Sequence, residues 1–357
     1  MSSAHIRILI VKLSSLGDVL HNLPLVWDLR EHLPEAQIDW VVEEAYLDLL
    51  EPLRSRNGLR GIDRIIPIAL RRWKNNIFSL KTWQEFFAFR KHLQAQTYDV
   101  VIETQGLLKS ALVCAMTKKT STTVVAGLAN ATEYSGYEPI ARRFYTQAVQ
   151  VPRQCHAVDR SRWVMSAAFD WPLLNRQQQP PYFYPQAWVE GLISATQNSI
   201  SQNYVVFFHA TAREAKRWPN KNWITLGQGL AEQGLQIILP WGSAAEKLTS
   251  ELIAKEIDGA VVPTAFSIKE AFAVVAGAQL TIGVDTGLTH LAAVLGRPTI
   301  EIYCDSPKWK TEGYWSEAIC NLGDLKNPPA VKTVFAVAER LLKASQSALS
   351  KQAIDAS

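Results

Sequence analysis

The chain has 357 residues, 48% hydrophobic and 20% charged, with a formal net charge of +4, the composition of a globular protein large enough for two ordinary domains. That mild positive balance suits acidic ligands such as phosphates and falls short of a nucleic-acid binder, so no nucleic-acid partner is expected. Four scattered cysteines without ligand-like spacing predict neither a zinc site nor disulfides, and the absence of any run near the roughly 18 apolar residues of a membrane span predicts a cytoplasmic chain without leader or spanning helix.

Taken in order, β-rich runs alternate with helical patterns: IRILIVKL (6–13), QIDWVV (37–42), IDRIIPI (62–68), YDVVIE (98–103) and TTVVAG (122–127). This alternation predicts an α/β fold, a parallel sheet with helices on both faces. Residues 128–150 read as irregular and 154–169 as a helix; four prolines and three consecutive glutamines in 170–188 read as linker chemistry. The cycle then restarts with YVVFFHA (204–210), a helix near 221–233, LQIILP (235–240), a helix from about 244, AVV (260–262), a helix capped by Ser267 and Glu270, QLTIGVD (279–285), a short helix to about 295, and PTIEIY (298–303). A helix near 330–347 and a polar, frayed tail close the chain. The expected organisation is an N-terminal Rossmann-like domain over 1–175, a linker over 176–203, a second Rossmann-like domain over 204–327, and a C-terminal helix and tail over 328–357. Two such doubly wound halves predict a central cleft beyond the strand ends, where ligands of open α/β sheets bind.

Several residues sit on those strand ends. Asp18 follows the first strand through the turn SSLG; it is either an N-cap for the helix beginning there, which Pro24 kinks or delays, or a carboxylate placed to accept a proton from a substrate hydroxyl. In VDTGLTHLAAVLG (284–296) Asp285 ends a strand and Thr286 and Gly287 open a helix whose free N–H groups attract phosphate; the plain alternative is an ordinary strand-to-helix turn with His290 satisfied in the interior. Arg213, Lys216 and Arg217 form either a solvated charge run or a cationic loop for a diphosphate leaving group. Glu246, after LPWG, is either a surface glutamate at a helix start or an acceptor for ribose hydroxyls. Residues 69–93 interleave Arg71, Arg72, Lys74, Lys81, Arg90 and Lys91 with six aromatic residues, which suits either a packed helix or an interfacial segment on an anionic surface. GxGxxG, P-loop, GxSxG, HExxH and Asp-x-Asp patterns are all missing, so no metal clamp, hydrolase elbow or zinc peptidase is expected.

Seven blocks, ILIVKLSSLGDVLHNLPLVWDL, IDWVVEE, IPIALRRWKN, YDVVIETQGLLKSAL, HATAREAKRWP, LPWG and VDTGLTHLAAVLGRPTI, together resemble the ADP-heptose:lipopolysaccharide heptosyltransferase family, type I above all. The resemblance runs in order from about residue 6 to 303. It implies a GT-B architecture, two Rossmann-like domains facing a cleft, and inverting, metal-independent transfer of heptose from ADP-heptose to the Kdo sugar of Kdo-lipid A, with no cofactor. It implies a place at the inner membrane of a Gram-negative bacterium as a peripheral protein. Asp18 matches the family's general base. Thr211, Lys216, Glu246, Asp285, Thr286, Gly287 and His290 fall to the donor, and Ser14, Ser15, Gly17, Arg71, Arg72, Lys74, Gln105, Lys109 and His156 to the acceptor side. The sequence YCDSPKWKTEGYW departs from the family's Gly-Pro-Thr turn, so contacts near Cys304 to Pro307 are expected to differ. Readings left open are heptosyltransferase II or a relative using another nucleotide sugar, a nucleotide-sugar 2-epimerase, and a non-catalytic sugar-binding protein.

Overall fold

A computed structural model of the chain describes residues 6–56, 58–173, 180–197, 203–211 and 213–355. The chain divides into two units, Met1–Phe183 and Tyr184–Ser357.

The first unit begins with β1 (Arg7–Val11), the short α1 (Leu16–Leu20), α2 (Pro24–His32), β2 (Gln37–Glu43), α3 (Leu47–Leu50) and β3 (Arg64–Ile68). It continues with α4 (Leu70–Asn75), α5 (Leu80–Leu93), β4 (Thr97–Glu103), α6 (Leu108–Met116), β5 (Lys118–Leu128), β6 (Gln147–Val149) and α7 (Ala157–Phe169). The six strands pair in parallel in the order β3-β2-β1-β4-β5-β6, the doubly wound arrangement expected of βαβ repeats. β1 lies centrally because four of its five residues, Ile8 to Val11, are apolar and have no solvent exposure on either face. The order reverses at β1 and β4, so the ligand lip of this sheet is the edge where Lys12, Ser14 and Gln105 leave the strands.

Pro24 resolves the first helical pattern: it stands at N1 of α2, so the segment breaks into two helices instead of one kinked helix. The 69–93 segment is likewise two helices, α4 and α5. The irregular 128–150 stretch holds a 3₁₀ turn over Pro139–Phe144 and the edge strand β6. Inside the core, Arg162 on α7 grips Asp28 on α2 with bonds of 2.8 and 2.9 Å, both side chains buried.

The second unit starts with α8 (Gln186–Gln197), inside the stretch read as linker; residues 176–179 and 198–202 of that stretch lie outside the described residues. It continues with β7 (Tyr204–Phe208), α9 (Asn220–Ala231), β8 (Gln236–Ile238), α10 (Ala244–Ala254), α11 (Ile268–Gly277), β9 (Leu280–Val284), α12 (Gly287–Val294), β10 (Thr299–Tyr303), β11 (Ile319–Gly323) and α13 (Val331–Asp355). α13 outlasts its predicted end and takes in all of the expected tail except residues 356 and 357, which are outside the described residues. The sheet order is β11-β10-β9-β7-β8. The AVV run forms only a parallel bridge from Val261 to Ile238, at the position of a further strand beyond β8. With that bridge the second sheet repeats the topology of the first.

Gly283 shows why α12 must follow β9 so closely. A Cβ at this position would stand 2.0 Å from Thr289 Oγ1 and 2.9 Å from Phe208 Cβ. Only a glycine lets the helix dock on the strand, where the Thr289 hydroxyl donates to Val284 O at 2.8 Å. All four cysteines are free.

Candidate functional site

In the first unit, the chain leaves β1 and enters α1 through a capping box. Ser15 is the N-cap, and its backbone N–H and hydroxyl donate to Asp18 Oδ2 at 3.1 and 2.8 Å. Asp18 is therefore the third helical residue and not the N-cap. The box uses one carboxylate oxygen and leaves Oδ1 to two cations, Arg160 Nη2 at 3.6 Å and Lys12 Nζ at 3.7 Å. Burial opposes the charge on Asp18, but Lys12, Arg160 and the Ser15 bonds outweigh it and hold the carboxyl well below the usual carboxylate range. The side chain keeps 40% of its surface open, enough for a hydroxyl to approach. Lys12 is 1% exposed; burial pushes its ammonium down to about 8, aided by Arg160 and opposed by Asp18 and Glu103.

Ser14, Gln105 and Lys109 join this lip. Gln105 Oε1 accepts from Leu13 N (3.0 Å), its amide donates to Ser14 Oγ (3.1 Å), and Lys109 Nζ donates to the same hydroxyl (2.9 Å). Gly17 O faces His21 Nδ1 at 2.7 Å, and the His21 ring meets His156 edge-on with centroids 5.7 Å apart. His156 is the N-cap of α7, the helix that carries Arg160. Ser14, Ser15, Gly17, Asp18, Gln105, Lys109 and His156 thus form one cluster.

No hydrogen bond or ion pair among the described residues links Arg71, Arg72 or Lys74 to that cluster. Arg71 donates to Tyr46 OH (2.7 Å), and Arg72 is paired with Glu44 (2.9 Å) and Glu85 (2.6 Å), while Lys74 is exposed. Just beyond them, Phe78 is 95% exposed, Leu80 82%, Phe87 56% and Trp83 51%. Trp73 and Phe89 point the other way and are core, so the packed-helix reading holds for these two.

In the second unit, Lys216 leaves the loop after β7 and its Nζ meets Asp285 Oδ2 at 2.5 Å. Asp285 Oδ1 faces His290 Nε2 at 3.0 Å and accepts from Thr311 Oγ1 at 3.2 Å. His290 Nδ1 faces Glu301 Oε1 at 2.7 Å. Burial of Asp285 is outweighed by His290 and Lys216, which hold its carboxyl well below the ordinary value. Burial of His290 is outweighed by Glu301 and Asp285, and its imidazole is pushed up to about 10. Beside them Thr286 is the N-cap of α12, and the N–H groups of Gly287 and Leu288 meet no acceptor among the described residues. Glu246 Oε2 accepts from Gly242 N at 2.8 Å, and Oε1 meets no partner among the described residues. Thr211 is buried in the loop after β7 and makes no bond to the Lys216 group. In the divergent segment Asp305 pairs with Arg213 at 3.6 Å.

Sequence reasoning missed Lys12, Arg160 and Glu301. Only the S-x-x-D spacing of Ser15 and Asp18, a capping-box signature, offered a local signal for this geometry. No group of three or more His, Cys, Asp or Glu side chains suited to a metal gathers among the described residues, and no described helix is long and apolar enough to cross a membrane.

The sequence pattern of glycosyltransferase family 9 (heptosyltransferase) matches residues 86–337. The chain belongs to this family. It is 37% identical over 311 residues to lipopolysaccharide heptosyltransferase 1 of Salmonella typhimurium, covering 86% of this chain and 91% of that protein. It is 35% identical over 336 residues to the Pseudomonas aeruginosa protein of the same name, covering 91% of this chain and 86% of the relative. Among solved structures, Escherichia coli heptosyltransferase WaaC with ADP superposes with a TM-score of 0.77 at 32% identity, covering 94% of this chain and all of that one. The family 9 chain is accordingly a glycosyltransferase, and its two parallel sheets are those of the GT-B heptosyltransferases.

Proposed function

We propose that this chain is a type 1 lipopolysaccharide heptosyltransferase, moving heptose from ADP-heptose to a Kdo residue of the inner core with inversion at the anomeric carbon. The observation that carries the reading is its likeness to WaaC bound to ADP-2-deoxy-2-fluoro heptose, at 31% identity and a TM-score of 0.72. Type 1 is favoured over type 2, since the E. coli type 2 relative is only 24% identical. Likeness to a UDP-N-acetylglucosamine 2-epimerase, at 13% identity, reaches the fold alone.

The acceptor hydroxyl is a poor nucleophile and Asp18 is its general base. A carboxylate with depressed proton affinity takes the proton late, when the bond to the anomeric carbon has already made the hydroxyl acidic. Asp18 is ionised at any physiological pH, so it needs no activation. Lys12, Arg160 and Lys109 attract an anionic sugar acid to this lip, with Ser14, Gln105 and His156 shaping it. On the donor side Lys216 and the N–H groups of Gly287 and Leu288 meet the charge that develops on the departing ADP, Glu246 accepts from the ribose, and Thr211 lines the nucleotide's path. A lysine and a helix N-terminus placed for the diphosphate support metal-independent transfer.

The exposed Phe78, Leu80, Trp83 and Phe87, bordered by Lys74, Lys81, Arg90 and Lys91, make a surface for the anionic inner membrane, where the lipid-linked acceptor resides. Its apolar tip suits the acyl boundary and its cations suit the headgroups.

The test is to incubate the protein with ADP-heptose, UDP-sugars and a Kdo-lipid acceptor, with chelator present, and follow nucleoside diphosphate release. Release of ADP that requires the acceptor is expected. Release of UDP instead, or none, overturns the reading.

A further inference from the structure

Two features of the donor half are unexplained by a lysine that simply waits for phosphate. Lys216 is held by Asp285, which would cancel its charge, and Asp285 is in turn contacted by an imidazole with a second carboxylate behind it. Glu301 has no solvent exposure and lies on β10; its other oxygen accepts from Gly313 N (2.9 Å) and Tyr303 OH (3.0 Å). His290 stands between carboxylate oxygens at 2.7 and 3.0 Å, and ionised carboxylates only accept, so both ring nitrogens must carry protons.

The geometry points to Glu301 as a positioning residue of the donor site: by holding His290 as an imidazolium, it divides the charge of Asp285 between two cations and leaves Lys216 with positive charge to offer a diphosphate. The inference rests on the donor reading of this site. The Lys216, Asp285 and His290 triad then carries a net positive charge at the tip of β9, beside the free N–H groups of α12, while the balancing negative charge is buried on the far side. The charged groups that bear on His290 are Asp285 at the end of β9, Glu301 on β10, Lys216 through Asp285, and Tyr303 through Glu301; Thr311, from the loop after β10, shares Asp285 Oδ1. Glu301 also ties that loop, through Gly313, to the same network.

Two measurements test this. Ring nitrogen chemical shifts of His290 in the unaltered protein should report a doubly protonated imidazole at pH 8; a neutral ring there overturns the inference whether or not any variant folds. In Glu301→Gln the histidine returns toward its ordinary titration range, so ADP affinity relative to the unaltered protein should fall about tenfold at pH 8, the scale of one charge-assisted hydrogen bond, and recover toward parity at pH 6. A purely structural role gives the same loss at both pH values and overturns the inference. Failure of the unaltered protein to bind ADP overturns the donor reading itself and takes this inference with it, an outcome distinct from a pH-independent variant that binds.

Discussion

Arg160 Nη2 stands 3.6 Å from Asp18 Oδ1 although 142 positions separate them in the chain, so the surroundings of this carboxylate are built by the first and last helical segments of its unit together. Arg160 and Lys12 also explain why Asp18 stays ionised despite the burial that opposes its charge.

Asp18→Asn should separate chemistry from architecture. The asparagine carbonyl still accepts from Ser15, so the helix start survives, whereas the amide cannot take a proton. The expected result is unchanged ADP affinity with kcat for transfer lower by about 10²- to 10⁴-fold, the usual contribution of a general base. Retained turnover would return this residue to a purely capping role.

Lys12 should set a pH limit on the proposed acceptor side. Its ammonium titrates near 8, below the ordinary lysine value, so the positive charge beside Asp18 is present below that pH and lost above it. At saturating donor, kcat/KM for the acceptor should decline as pH rises through about 8, mainly through KM. Lys12→Met should be low and flat across the same range. A decline that persists in that variant assigns the limb to another group.

Both lips were partly legible in the sequence because strand ends and turns are local features. Asp18, Asp285 and Thr286 announce themselves by following apolar runs into small-residue turns, whereas Gln105 came only with the family resemblance. Lys12 and Glu301 were hidden for the opposite reason: each sits within or against a strand, where a charged residue reads as solvent-facing until pairing with both neighbouring strands buries it. β11 was hidden too, since ICNLG has little alternation and is a strand only because β10 offers it an edge. Arg72 shows the reverse error risk, a basic residue beside aromatics that is neutralised by Glu44 and Glu85, one of which lies 28 positions away.

Lys216→Ala removes the cation paired with Asp285 and leaves that carboxylate with His290 and the Thr311 hydroxyl. A hydrogen bond to a charged group contributes roughly 1.5–3 kcal/mol, so ADP affinity should weaken by about ten- to a hundredfold. The acceptor KM should change little. Isothermal titration with ADP checks this, and unchanged affinity would contradict a phosphate role for the lysine.

The exposed tip of the first unit gives a prediction that involves no catalytic group. Phe78 and Trp83 lie outside the Asp18 cluster; Phe78 is 95% exposed, and Trp83, 51% exposed, packs on Phe86 and Phe87 and donates to Ile77 O, so replacing both with serine costs surface contacts on α5 and leaves the core untouched. Each aromatic side chain buried in an acyl boundary contributes about 1.5–3 kcal/mol, so the double variant should bind anionic vesicles at least about a hundredfold more weakly. Transfer to a short, detergent-soluble acceptor should hold, while transfer to acceptor embedded in vesicles should fall. Cosedimentation with phosphatidylglycerol vesicles at low and high salt separates the two contributions: salt weakens the part due to Lys74, Lys81, Arg90 and Lys91 and spares the part due to the aromatic tip. Equal sedimentation of both proteins at either salt concentration would overturn the membrane role proposed for this tip.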